Sequence, residues 1–192
     1  MRTCLLAGLL VVLFSSIGFG QLYKDPDQPV QNRVKDLLQR MSLEQKVGQM
    51  CQYARSEVYQ DLDEDDFVQL VKEGKVGTFL TITDPEITTR LQEAAVNSPL
   101  GIPLLFATDA IHGVAMVSGA TVYPTPLTLA SSWDETITEE IARQTAVEMK
   151  EIGLHWTFSP NVELSRDPRW GRTGETFGED PVFVSRLGQA MT

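Results

Sequence analysis

Cysteine is almost missing from this sequence: its 192 residues include two, Cys4 and Cys51. Cys4 lies in an amino-terminal segment with the marks of an export signal. The rest of the chain therefore cannot form an internal disulfide, and its stability must come from a packed core. Basic residues are also few, with 16 Lys and Arg against 26 Asp and Glu and a formal net charge of −10. Nucleic acids and anionic membranes need clustered Lys and Arg to replace their counterions, so the balance argues against both as partners; a neutral substrate stays compatible. No apolar run reaches the ~20 residues that cross a bilayer. No glycine-rich phosphate fingerprint fills a strand-to-helix turn. The nearest spacing, Gly171, Gly174 and Gly178, is interrupted by Arg172 and Glu175, which argues against a nucleotide site. A cysteine, two histidines and scattered carboxylates give no metal-ligand set, and no G-x-S-x-G elbow signals serine nucleophile chemistry.

The first twenty residues, MRTCLLAGLLVVLFSSIGFG, carry Arg2, an apolar run over 5–14 and small residues at Gly18 and Gly20. They read as a secretory signal peptide, 1–20, cleaved after Gly20. A membrane anchor is the weaker alternative, because the run is short and no positive stop-transfer cluster follows. The expected location is secreted or periplasmic. Arg2 is the one charge removed, so the remaining chain is more acidic still. A polar linker, 21–32, holds YKDPDQP.

Helical spacing starts in VQNRVKDLLQRMSLEQKVGQM, and Ser42 with Gln45 predicts a capping box that opens a second helix at Leu43. KVGTFLTIT at 75–83 predicts a strand and 87–98 a helix. IPLLFATD at 102–109 reads as a strand buried on both faces that emerges at Asp109. LTLASSW at 127–133 is a weaker strand candidate. Asp134 is placed to cap a helix, with a stripe of Ile137, Ile141, Thr145, Met149 and Ile152 that Gly153 ends. A strand at 154–160 and a helix at 181–192 complete the alternation.

Strand alternating with helix predicts an α/β fold whose mostly parallel sheet is covered by helices, either open and doubly wound or a (β/α)-barrel. In both, function gathers at the carboxyl ends of the strands. The polar residues here do collect there, at Thr108–Asp109 and from Asn161 to Asp180. A complete barrel takes about 250 residues, so the chain is expected to be the amino-terminal part of a longer protein.

Asp109 reads in two ways: a carboxylate aimed into a pocket, or an Asx turn or helix cap. His112, before Gly113, and His155, within a strand pattern, are more often structural. The densest chemistry lies in SRDPRWGRTGETFGEDP at 165–181, which holds Arg166, Asp167, Arg169, Trp170, Arg172, Glu175, Glu179 and Asp180. Arginine's rigid fork of donors and tryptophan's flat apolar face suit a polyhydroxylated ring. A salt-bridged loop that merely holds itself together would look the same, and both can be true at once.

Four stretches together, MSLEQKVGQM, TDAIHG at 108–113, TVYPTPLTLASSWD at 121–134 and FSPNVELSRDPRWGRTGETFGEDP at 158–181, resemble the amino-terminal barrel domain of glycoside hydrolase family 3. The resemblance covers 33–192 and implies part of a (β/α)8 TIM-like barrel, truncated before closure. It implies that Asp109 binds hydroxyls of the non-reducing terminal sugar and that Arg172 reaches the same sugar. Arg166, Asp167 and Arg169 would be loop scaffold, with Glu175 and Glu179 among their partners. Many relatives bracket this loop with cysteines; here the flanks are Ser165 and Thr173, so hydrogen bonds must hold it.

The resemblance further implies an exported, exo-acting, retaining β-glycosidase acting on terminal β-D-glucosyl residues, with carbohydrate as its partner and no cofactor. A β-xylosidase, or a barrel that binds sugar without catalysis, is the alternative. The family's aspartate nucleophile, its acid/base carboxylate and its Lys–His pair have no counterpart motif in these residues. An aldolase-type barrel would need a Schiff-base lysine at a strand's carboxyl end, and Lys75 stands at the opposite end of its strand.

Overall fold

The structure is a computed structural model that describes residues 20–54 and 62–192; the predicted signal peptide therefore lies almost wholly outside the described residues. The chain divides into two compact units, to Met41 and from Ser42. In the first, a 3-10 turn (Leu22–Lys24) precedes helix α1 (Val30–Arg40). Asp36 ties them together, accepting from the Tyr23 amide at 3.1 Å and from Arg40 Nε at 2.9 Å.

The second unit opens on helix α2 (Leu43–Gln49). Its predicted capping box is present: the Gln45 amide donates to Ser42 Oγ at 3.2 Å, and the Ser42 amide donates to Gln45 Oε1 at 3.0 Å. The predicted alternation follows, with β2 (Thr78–Leu80), α4 (Pro85–Val96), β3 (Leu105–Thr108), α6 (Glu135–Glu151), β4 (Trp156–Thr157) and α7 (Pro181–Met191). Asp84, Asp134 and Asp180 each cap the helix they precede, satisfying first-turn amides that have no partner inside the helix. Gly153, at φ +78°, ends α6 as expected.

Two elements were absent from the sequence-based pattern. β1 (Gln52–Ala54) is too short to show a period, whereas α3 (Glu64–Lys72) carries a legible signal. Asp63 and Asp66 form a second capping box, and Phe67 and Val71 recur four residues apart on its buried side. One expectation is overturned. Residues 127–133 do not form a strand; helix α5 (Pro126–Ala130) stands there. Pro126 presets the first-turn dihedral of a helix, the Leu129 amide donates to the Thr125 carbonyl at 2.8 Å, and Leu129 and Ala130 bury their side chains.

Among the described residues four strands form one sheet, all parallel and in chain order, β1-β2-β3-β4. A doubly wound sheet reverses its strand order at a switch point; this order is that of a barrel wall. The fold is thus the amino-terminal part of a (β/α)8 TIM-like barrel, and its sheet does not close among the described residues. The main core lies between sheet and helices, where Phe79 stacks on Phe106 at 6.0 Å and meets Phe67 edge-on at 5.4 Å. A second cluster joins α5 and α7 through Leu129, Ala130, Phe177, Val184 and Leu187.

Candidate functional site

Asp109 is the first residue beyond β3. Thr108 before it and Ala110 after it are buried, whereas Asp109 itself is exposed. Its main-chain carbonyl accepts from Ser159 Oγ at 2.8 Å, which links the end of β3 to the segment after β4. Among the described residues no donor bonds its carboxylate and no helix begins there. The side chain is neither an Asx turn nor a cap, and its oxygens are open to an outside donor.

Arg172 reaches the same end of the sheet from the loop between β4 and α7, just before a 3-10 turn (Thr173–Glu175). That turn brings Glu175 back onto it: Nε and Nη2 of Arg172 both donate to Glu175 Oε2, at 2.8 and 2.5 Å. Asn161 Nδ2 donates to the same oxygen at 2.9 Å. One carboxylate oxygen thus fixes the guanidinium plane and, among the described residues, leaves Nη1 without a bond. The hydrogen-bonded Glu175 carboxylate is the main cause that raises the Arg172 pKa, and the charges of Glu163 and Asp109 add to it. Asp109 and Arg172 therefore stand within electrostatic reach of one another, a carboxylate and a guanidinium 63 positions apart in sequence at one mouth.

The remaining loop charges divide differently from expectation. Glu175, anticipated as a partner of the scaffold arginines, grips Arg172 instead. Arg169 pairs with Asp167, with Nε to Oδ1 at 3.0 Å and Nη2 to Oδ2 at 2.6 Å, and its side chain stays 90% exposed. Arg166 and Glu179 make no side-chain hydrogen bond among the described residues. The flanks are joined by a hydrogen bond, Ser165 Oγ to Thr173 Oγ1 at 3.1 Å, and the Ser165 amide donates to the Gly178 carbonyl at 3.0 Å. Thr176 and Phe177, 0% and 2% exposed, sink the end of the loop into the second core cluster. Trp170 is 36% exposed.

His155 is structural, as expected. Its Nδ1 accepts from the Phe106 amide at 3.2 Å and its ring stacks on Phe106. His112 accepts from the Tyr123 amide at its carbonyl, 2.9 Å away, and its Nδ1 is buried without a partner among the described residues. Asn161 and Glu163, close to Arg172, were not singled out from the sequence. Their place in the polar run just after a strand was the available signal.

A profile of the Glycosyl hydrolase family 3 N terminal domain matches residues 42–192. The chain is 38% identical over 159 residues to a periplasmic beta-glucosidase of Salmonella typhimurium, covering 82% of this chain and 20% of that protein. It is 37% identical over 124 residues to a beta-xylosidase of Formosa agariphila, covering 61% and 17% respectively. Among solved structures, the beta-glucosidase of Listeria innocua in complex with isofagomine superimposes with a TM-score of 0.71 at 35% identity, over 84% of this chain and 22% of that one. The chain thus spans about a fifth of the length of the relatives it matches.

Proposed function

The chain belongs to glycosyl hydrolase family 3, and on that premise we propose that it supplies the amino-terminal barrel wall of an exported, exo-acting β-glycosidase that releases terminal non-reducing β-D-glucosyl residues with retention. The observation that carries this is the placement of Asp109 directly after β3 and of Arg172 on the loop that follows β4, each with polar atoms open to a ligand.

A glucosyl ring presents hydroxyls that both donate and accept. Asp109, acceptor-only when ionised, takes donated protons from one or two of them. Arg172, held flat by Glu175, turns Nη1 toward a hydroxyl oxygen. Together they fix the ring's position and depth. Proximity of this kind supplies much of a catalyst's advantage, because the anomeric carbon is presented in one orientation. Retention requires two further carboxylates about 5–5.5 Å apart, one attacking the anomeric carbon and one protonating the leaving oxygen. We assign these to parts of the protein beyond this chain, since the family's nucleophile motif has no match in it.

Export rests on the amino-terminal segment, and a family relative named as periplasmic supports it. No helix among the described residues is long and apolar enough to cross a membrane. The Listeria innocua relative has been solved with glucose and, as a mutant, with laminaribiose, which supports a carbohydrate substrate. The relationship to a beta-xylosidase keeps xylosides as the second reading.

The test is kcat/KM of the full-length enzyme on matched aryl β-glucoside and aryl β-xyloside. A preference for the glucoside of tenfold or more, about 1.4 kcal/mol, is expected. The reverse preference would select the xylosidase, and inertness toward both would leave a sugar-binding barrel.

A further inference from the structure

We propose that Glu148, on α6, is a positioning residue for Asp109: it clasps the loop that follows β3 and fixes the direction of the carboxylate at its start. The proposal rests on the sugar-binding role given to Asp109 above.

The clasp consists of three hydrogen bonds. Glu148 Oε1 accepts from Thr121 Oγ1 at 2.6 Å and from the Thr121 amide at 3.3 Å, and Oε2 accepts from the same amide at 3.1 Å. Thr121 lies on the returning arm of the loop, and that arm is laid directly on the outgoing one. The Tyr123 amide donates to the His112 carbonyl at 2.9 Å. The Thr121 carbonyl presses so close to Gly113 that a Cβ there would collide with it, and Gly113 holds φ +84°, a conformation that favours glycine.

Force at Thr121 is therefore passed to residues 112 and 113, three and four positions after Asp109. Ala110 and Val114 are buried on either side of that contact, so the outgoing arm has little room to absorb a shift. Ser159 Oγ holds the Asp109 carbonyl from the β4 side. The main chain that carries Asp109 is thus held by two ties, one from α6 and one from the segment after β4. Removing Glu148 leaves the Thr121 donors to water and frees the returning arm.

The experiment compares wild type, Glu148→Ala, Glu148→Gln and a control on the same helix, Glu140→Ala, in the full-length enzyme. Glutamine keeps Oε1 as acceptor for the Thr121 hydroxyl but turns the atom that faces the Thr121 amide into a donor, so it should keep the clasp in part. Two readouts are taken: amide hydrogen exchange of residues 110–123, and KM, kcat and the inhibition constant of a glucose-like iminosugar.

Glu148→Ala should lose protection across 110–123 and weaken iminosugar binding by about tenfold, within the loss that a ~1 Å misplacement can bring. KM should rise more than kcat falls. Glu148→Gln should fall between wild type and the alanine variant, and Glu140→Ala should stay near wild type in both readouts. Wild-type protection and kinetics in Glu148→Ala would overturn the proposal. So would a Glu148→Gln variant as impaired as the alanine, or lost protection with unchanged iminosugar binding. If the wild-type enzyme has no glycosidase activity yet protection and iminosugar binding change as described, catalysis is wrong and the positioning role stands.

Discussion

Phe177→Ala should destabilise the protein far more than removal of any charge in the arginine-rich loop. Phe177 is 2% exposed and packs with Leu129, Ala130, Val184 and Leu187, so it fastens the carboxyl end of that loop to α5 and α7. Burying a phenylalanine takes on the order of 200 Å² from water. At about 25 cal/mol per Å² this stabilises by ~5 kcal/mol, an upper value because the unfolded chain already hides part of that area. With the residual cavity included, Phe-to-Ala changes in cores cost about 3–5 kcal/mol. Two flanking hydrogen bonds cannot replace that anchor. Denaturant unfolding followed by tryptophan fluorescence is a suitable assay, since Trp133 stacks on Phe183 at 4.4 Å beside the same cluster. kcat/KM should fall as well, because Arg172 lies five positions upstream of the anchor. A midpoint shift for Phe177→Ala no larger than that for Arg169→Ala would refute the claim that an apolar residue, and not the charges, holds the loop.

Arg169→Ala should change melting temperature and kinetics little, because its partner is two residues away and both groups face water; a loss of activity comparable to that of Arg172→Ala would show that Arg169 meets the substrate. Gly113→Ala should cost at least about 1–2 kcal/mol for its left-handed backbone alone, and KM should rise as the Thr121 carbonyl is pushed away; unaltered unfolding and KM would contradict the contact seen there. Glu140 is hydrogen-bonded by Arg143 and then by Gln144, which push its pKa down from 4.5 to about 2. Since the folded value is the depressed one, the pair's contribution is complete above pH 4.5 and fades as pH falls toward 2; NMR titration should show this, with Arg143→Ala returning the carboxyl toward 4.5. Mass spectrometry of secreted protein should find an amino terminus at Gln21, and retention of the apolar segment would contradict cleavage.

What the sequence made legible follows from how local each cause is. Ser42 with Gln45, and Asp134 before its helix, act within one turn, so their motifs translated directly into caps. The segment at 127–133 differs from expectation because its few apolar residues cannot separate a strand period from a helical one, whereas Pro126 before them starts a helix. Asp109 was visible as the polar end of an apolar run. Its freedom from an Asx turn or cap was not, since that depends on where the chain goes next. The grip of Glu175 on Arg172 depends on a 3-10 turn that no periodicity announces. The link from Glu148 to Thr121 joins residues 27 positions apart, and tertiary packing alone brings them together.

The central claim is that Asp109 and Arg172 hold one sugar, and the most direct measurement is the dissociation constant of a glucose-like iminosugar for the full-length enzyme and its Asp109→Asn and Arg172→Ala variants. Each change removes hydrogen bonds to a charged group, so each should weaken binding by roughly tenfold to a hundredfold. Because both groups hold one ring, the double variant should lose less than the product of the two single losses. Wild-type affinity in both single variants would contradict the account and move the sugar site elsewhere on the barrel.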